Sequence, residues 1–411
     1  MKKDKILVIA TTFPRWEKDT EATFVKDLCK EQSKEFEVHV LVPHYNGLKL
    51  KEKIDGLYMH RFIYFYPYKF QKLAYGGILP NLKKNPILIL QAPFLFVSEL
   101  INTIKILKKE RIKVIHAHWF FPHGLISAIC NKYLKVKSIV TIHAGGVIAL
   151  NRIPLIKRYI ADFIIKNNNI IISVSSFGKN LAIKMVSKKL KDTTKKNIKI
   201  IPMGIYTNNF KTKVKKNQLK GIKQKNTILF IGRLAEKKGV KYLIKALTYL
   251  KDSDYFLLIM GDGPLKDKIK KMIRKYNLEN KVKFLGYLTG KEKIDYILAS
   301  DIMVVPSIIT KGGDTEGLPV TIIEGMASGL PIIATNVGGV KDILNNNKNG
   351  ILINEKNPKQ IAKKLNSLIK NKKLKEKISK NALLTSGEYD WRIIGKKNTK
   401  LIKTLQIKKP I

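Results

Sequence analysis

The sequence predicts an α/β protein of two domains, each wound on both faces of a mostly parallel sheet. Three observations carry this. Near the N-terminus the chain runs strand, loop, helix, strand, the order that opens a doubly wound domain. Its 411 residues are enough for two ordinary domains. The stretch Lys211 to Lys225 is rich in lysine and poor in large apolar residues, as an exposed linker is, and strands resume directly after it.

Taken in order, Lys5–Ala10 is a buried-type strand, and Phe13-Pro14-Arg15-Trp16 begins a loop. Glu21 to Phe36 has helical spacing through Phe24, Leu28 and Cys29, and Glu37–Val42 is the next strand. From Phe62 to Tyr75 aromatic residues alternate with basic ones. Pro86 to Leu107 is a long apolar stretch of near-spanning length, interrupted by Gln91, Pro93, Glu99, Asn102 and Lys105. A charge near the middle of a spanning helix costs roughly 2.5–3.5 kcal/mol, so a transmembrane helix is rejected. Two readings stand for it: a core helix, or an interfacial surface that rests on lipid or receives an apolar acceptor.

Lys113 to Trp119 is a strand ending in His116-Ala117-His118-Trp119, and Ser138–Ile142 is another, ending in His143-Ala144-Gly145-Gly146. Polar groups in these places matter because open α/β sheets bind ligands at the carboxyl ends of their strands. Ile170–Val174 and Ile198 to Gly204 close the first domain, 1–208. After a linker at 209–226, the second domain, 227–389, has strands at Thr227–Ile231, Tyr255–Met260, Val282–Leu285, Asp301–Val305 and Pro331–Ala334. A helical tail, 390–411, begins at Asp390-Trp391.

The net charge is +48, from 79 Lys and Arg against 31 Asp and Glu. Part of it reflects a general richness in lysine; its functional reading is attraction to a polyanion. No nucleic-acid recognition motif accompanies the charge, so an anionic membrane surface is the expected partner and nucleic acid is not. Cys29 and Cys130 have no metal-type spacing and exclude a disulfide framework, which fits a reducing compartment. The apolar run Ile6 to Ala10 is too short for a signal peptide.

The chemistry concentrates in Gly312 to Pro331, a glycine-rich loop running into a short helix. Glu316 and Glu324 stand seven intervening residues apart, so one belongs to the loop and the other lies about two turns along. Gly317 and the first helical N–H groups form an anion site that needs no side chain. A ligand with both phosphate and hydroxyls suits this layout. Two ordinary surface glutamates would show the same spacing, so the flanking residues decide. A second cluster, Gly232-Arg233 with Lys238-Gly239, follows a strand and precedes a helix. Arginine offers a planar fork and lysine a mobile point charge. The alternative is an exposed basic loop in a lysine-rich protein.

The frame Glu-x7-Glu, with Gly-Leu-Pro inside and Gly-Met-Ala-Ser-Gly-Leu-Pro after it, resembles family 4 glycosyltransferases. The likeness extends along nearly the whole chain, through Gly-Arg…Lys-Gly, His-Ala-His-Trp and Thr141-Ile142-His143. It implies the glycosyltransferase-B fold, two Rossmann-like domains facing across a cleft that holds the active site, with the tail returning onto the first domain. It implies a retaining transfer of sugar from a nucleotide-sugar donor to an acceptor hydroxyl, lipid-linked or saccharide. The setting would be cell-envelope polysaccharide or glycolipid synthesis at the cytoplasmic face of the membrane, without cofactor or essential metal. By the same resemblance Arg233 and Lys238 hold the diphosphate, Glu324 the ribose hydroxyls and Glu316 hydroxyls of the donor sugar. The amides of Gly317 and Leu318 face the donor; Pro319 has no N–H to give. His143 contacts the sugar near the anomeric centre, while His118 and Trp119 shape the acceptor side. Capping or core packing is the plainer role for these three. The chain departs from the family at Ala22, where glycine is common, and at Tyr206, where aspartate is. Two rival functions are a nucleotide-sugar epimerase on the same fold, disfavoured by the complete glutamate pair, and a non-enzymatic polyanion-binding protein.

Overall fold

The computed structural model describes residues 3–16, 19, 23–212, 214, 216, 219, 226–250 and 254–407. Ala22 and most of the expected linker lie outside them. The chain forms two compact units: Met1–Met203 with Trp391–Ile411, and Gly204–Asp390. The first ends at Met203, before the expected 208, because the residues that follow are tied into the second. Ile205 N donates to the carbonyl of Tyr389, and Thr207 Oγ1 donates to Asp390 Oδ2.

The first unit is built on eight strands: β1 (Lys5–Ile9), β2 (Glu37–Pro43), β3 (Lys51–Ile54), β4 (Leu57–Phe62), β5 (Val114–His118), β6 (Lys137–Ile142), β7 (Ile170–Ser173) and β8 (Ile198–Ile200). Their order is β3-β4-β2-β1-β5-β6-β7-β8, and every pairing is parallel except β3 with β4. Ile6 to Ala10 and Val114 to His118 are buried throughout, as when helices cover both faces of such a sheet; the first reads as an unbroken apolar run, and the second buries His116 and His118 among apolar neighbours. The winding reverses between β1 and β5, so the loops after those strands diverge and leave a crevice. The terminal helix Trp391–Ile407 packs on the helix Phe24–Ser33 of the same unit.

The long apolar stretch is a 3-10 turn, Pro86–Gln91, continuing into the helix Ala92–Lys109. By length and composition it could cross a membrane. Its inner stripe, Leu95, Glu99, Thr103, Ile106 and Leu107, is buried in the first unit. Its outer stripe, including Phe94, Val97 and Ile101, is exposed. The core reading therefore holds for the inner face, and the outer face is apolar and exposed. The aromatic stretch before it is also divided. Phe62 and Tyr64 belong to the core, whereas Tyr66, Tyr68 and Phe70 are exposed.

The second unit has six strands: β9 (Asn226–Ile231), β10 (Tyr255–Met260), β11 (Val282–Gly286), β12 (Ile302–Val305), β13 (Ile332–Thr335) and β14 (Ile351–Ile353). All pair in parallel, in the order β11-β10-β9-β12-β13-β14. Numbered from β9, this is the order 3-2-1-4-5-6 of dinucleotide-binding sheets, with its switch point between β9 and β12.

Candidate active site

In the second unit the two motifs read from the sequence are the loops that leave β9 and β12 at the switch point. Gly239 shows how closely they approach. It closes the basic turn Glu236–Lys238 at φ 63°, and a Cβ there would lie 1.8 Å from the carbonyl oxygen of Pro306, just beyond β12. Only glycine fits both the left-handed backbone and the contact. From below, the loop after β13 presses Gly338 on the glutamate loop, where a Cβ would stand 1.9 Å from the carbonyl oxygen of Glu316.

Each glutamate of the motif meets a lysine. Lys238 Nζ lies 3.1 Å from both carboxylate oxygens of Glu316, with the hydrogen bond made to Oε2. Glu316 is buried, which by itself raises its pKa. The charges of Lys238 and then Lys237 outweigh this, and the carboxyl is held below its ordinary value. Lys237 also pairs with Asp314 at 3.2 Å. Glu324, in the helix Val320–Ala327, accepts from Lys293 Nζ at 2.7 Å. Arg233 is exposed and has no ion pair among the described residues.

The same segment carries polar atoms without hydrogen-bond partners. Ser307 Oγ, Thr315 Oγ1 and Glu324 Oε2 are buried and unsatisfied, whereas Glu316 Oε1 has only the Lys238 ammonium beside it. Buried polar groups are almost always paired, so three orphans between Ser307 and Glu324 mark a place made for a ligand. The amides of Gly317 and Leu318 donate to no protein acceptor among the described residues. The arrangement suits an anion flanked by hydroxyl donors: Arg233 and the free amides for the one, the glutamates for the other.

In the first unit, Thr11, Trp119 and His143 follow β1, β5 and β6 at the same sheet edge. His118 is fully buried, with Nδ1 3.2 Å from His143 Nε2 and its own Nε2 unpaired. His116 stacks on it at 4.5 Å and bonds Thr141 and Gln32. Burial lowers the pKa of His116 to about 4 and of His143 to about 3, and pushes that of His118 well down. These imidazoles are neutral at neutral pH and act as hydrogen-bond partners, not cations. His143 occupies the N-cap position of the helix Ala144–Asn151 but makes no side-chain cap bond. Its ring packs on Trp119 (4.8 Å) and Phe24 (5.3 Å). Trp119 has φ 73°, an uncommon backbone for a bulky residue, which tips the indole onto His143.

Several residues here had no sequence signal. His123 bonds Thr11 Oγ1 through Nε2 and Glu99 Oε1 through Nδ1, both at 2.5 Å, a buried chain across the crevice between the loops after β1 and β5. Lys293 and Asp314 likewise meet their partners, Glu324 and Lys237, only through the fold. Among the described residues no three His, Cys, Asp or Glu side chains are grouped to hold a metal ion.

Two Rossmann-like units, the second with a cationic loop and a carboxylate loop at its switch point, define a protein of the glycosyltransferase-B class. Comparison with known proteins gives the family. Residues 22–209 match the family described as Glycosyltransferase Family 4, and residues 211–384 that described as Glycosyl transferases group 1. An uncharacterised glycosyltransferase of Methanocaldococcus jannaschii is 31% identical, over 79% of this chain and 86% of that one. The Escherichia coli UDP-Gal:α-D-GlcNAc-diphosphoundecaprenol α-1,3-galactosyltransferase is 28% identical, over 62% of this chain and 66% of that one. Anabaena HepE, solved in complex with UDP, superposes with a TM-score of 0.72 over 98% of this chain and 100% of its own, at 16% identity. The chain belongs to the group 1 glycosyltransferase family.

Proposed function

We propose that the chain moves a sugar from a nucleotide-sugar donor to a hydroxyl of a lipid-linked or saccharide acceptor, with retention at the anomeric carbon, in cell-envelope polysaccharide or glycolipid synthesis. The observation that carries this is the loop pair at the β9/β12 switch point, with unpaired Arg233, the Lys238–Glu316 pair and the orphaned oxygen of Glu324. HepE holds UDP, and the Escherichia coli relative is named for transfer from UDP-galactose to a diphosphoundecaprenol-linked sugar, which supports the donor and acceptor classes.

In this reading Arg233 and Lys238 take up the charge that builds on the departing diphosphate, where electrostatic stabilisation counts most. Glu316 orients the donor sugar by its hydroxyls and Glu324 holds the ribose. The bond from the anomeric carbon to the phosphate oxygen breaks, the bond to the acceptor oxygen forms on the same face, and the acceptor proton passes to a donor phosphate oxygen. Neutral His143 suits a neighbour of an oxocarbenium-like centre because it adds no positive charge. His118 and Trp119 line the acceptor side, and no metal or cofactor is required.

The acceptor class also accounts for a peripheral position at the cytoplasmic face of an anionic membrane, supported by the exposed apolar stripe of the helix Ala92–Lys109 and by the charge of +48. The test is a panel of UDP-, GDP- and ADP-sugars with candidate acceptors, read by mass spectrometry and by NMR of the product anomer. Retained-configuration glycoside is the expected product. An acceptor-independent epimer of the donor would indicate an epimerase, and no turnover with any donor a polyanion-binding protein.

A further inference from the structure

We infer that Lys293 is a positioning residue of the donor site, one that holds Glu324 in the orientation in which its unpartnered oxygen receives a ribose hydroxyl. The inference rests on the donor reading above and adds a residue that neither motif contains. Lys293 lies on the helix Gly290–Leu298, which follows β11, whereas Glu324 lies on the helix after β12. The two are 31 residues apart, and the fold alone brings them to 2.7 Å.

The geometry is selective. Lys293 engages Oε1, while Oε2 of the same carboxylate is buried and without a partner. A glutamate side chain turns freely about three bonds; a cation fixed on one oxygen aims the other. The pair is also sheltered, with side-chain exposures of 25% for Lys293 and 14% for Glu324, so solvent screens it less than a surface pair. The other cations near the site are committed elsewhere or unpaired: Lys238 to Glu316, Lys237 to Asp314, and Arg233 to no carboxylate among the described residues. Among the described residues, Lys293 is the cation that holds the Glu324 carboxylate. Removing it leaves a buried carboxylate with neither oxygen held, and the loss should fall on ribose recognition more than on chemistry.

The test is calorimetric titration of the full chain with UDP, ADP and GDP and their 2′-deoxy counterparts, for wild type, Lys293→Met, Lys293→Arg and Glu324→Gln. Lys293→Met should weaken the ribonucleoside diphosphate that wild type binds by roughly tenfold, a coupling of ordinary size for contacting residues. It should weaken the 2′-deoxy form far less. Lys293→Arg should restore most of the ribose preference, and the double variant with Glu324→Gln should lose little beyond Glu324→Gln alone. In turnover the effect should appear in the donor KM with kcat nearly unchanged. Unchanged or tighter binding by folded Lys293→Met, or equal losses for the ribo and deoxy forms, overturns the role of Lys293 and leaves the donor reading standing. If wild type binds none of the nucleoside diphosphates, the donor reading fails and this role falls with it.

Discussion

Arg233 is the cation of the basic loop that no carboxylate holds, so a ligand anion meets it without competition. Arg233→Ala should lower turnover by about a hundredfold or more, as loss of a group that stabilises developing charge does. Being exposed, it should leave the melting temperature nearly unaltered. Near-normal turnover in the folded variant would remove it from the mechanism. Glu316 makes a pH-dependent prediction. Its folded pKa lies below the ordinary 4.5, so the stability it contributes is complete above that value and is lost as the pH falls through the lowered one. Glu316→Gln should therefore be less stable than wild type at pH 7 and should lose less on acidification below about 4.5; parallel melting curves of the two proteins between pH 7 and 3 would contradict this. The glutamates were legible in the sequence because glycine and proline punctuate their loop at short range. Their partners were not. Lys238 reads along the chain as a diphosphate ligand but not as the partner of Glu316, 78 residues further on, and no local pattern distinguishes Lys293, 31 residues before Glu324, from the many other lysines.

At the scale of elements, the helix Ala92–Lys109 shows what periodicity leaves open. Glu99 reads along the chain as a polar break in an apolar run. In the fold it lies on the inner stripe, fully buried, and bonds His123, which bonds Thr11 at the end of β1. A polar residue inside a helix is a break on one face and an anchor on the other, and only the packing says which. Because its carboxylate is the partner of a buried imidazole, Glu99→Leu should cost about 2 kcal/mol or more in urea unfolding by stranding His123, whereas His123→Phe with Glu99→Leu should recover part of that loss. Equal stability of wild type and Glu99→Leu would show that the chain contributes nothing. The hairpin β3–β4 escaped the sequence for a related reason. Lys51-Glu52-Lys53-Ile54 has three charges in four residues and becomes a strand through its pairing with β4. Central strands such as β1 and β10 needed no such help, since burial on both faces makes them apolar almost throughout.

For the whole molecule, the order of strands along the chain was readable but their order across the sheet was not. The switch points that gather the site residues are properties of that second order. What the sequence did state globally is the charge, and the first unit sets lysines beside exposed apolar side chains. Tyr66, Phe70, Phe94, Val97 and Ile101 are exposed on the first unit, and Gln91 Nε2 bonds the carbonyl of Phe70, tying the aromatic turn to the start of the helix. Exposed lysines at 69, 72, 83, 84, 105, 108 and 109 belong to the same segments. Near an anionic leaflet each contributes roughly 1 kcal/mol, screened within about 10 Å at 0.1 M salt, while the aromatic rings suit headgroup depth. Binding to anionic vesicles should be strong at low salt and fall as salt rises, and neutral vesicles should bind weakly. Tyr66→Ser with Phe70→Ser, and separately Phe94→Ser with Val97→Ser, should weaken binding even at low salt, because neither pair changes the charge. Phe62→Ser is the contrasting variant: Phe62 is core, so its loss should lower stability and leave the vesicle affinity of the folded fraction unchanged. Co-sedimentation decides: equal binding to both kinds of vesicle, or none to either, rules out the membrane surface. The donor site proposed in the second unit would be untouched by that result, since its loops, glycines and ion pairs owe nothing to lipid.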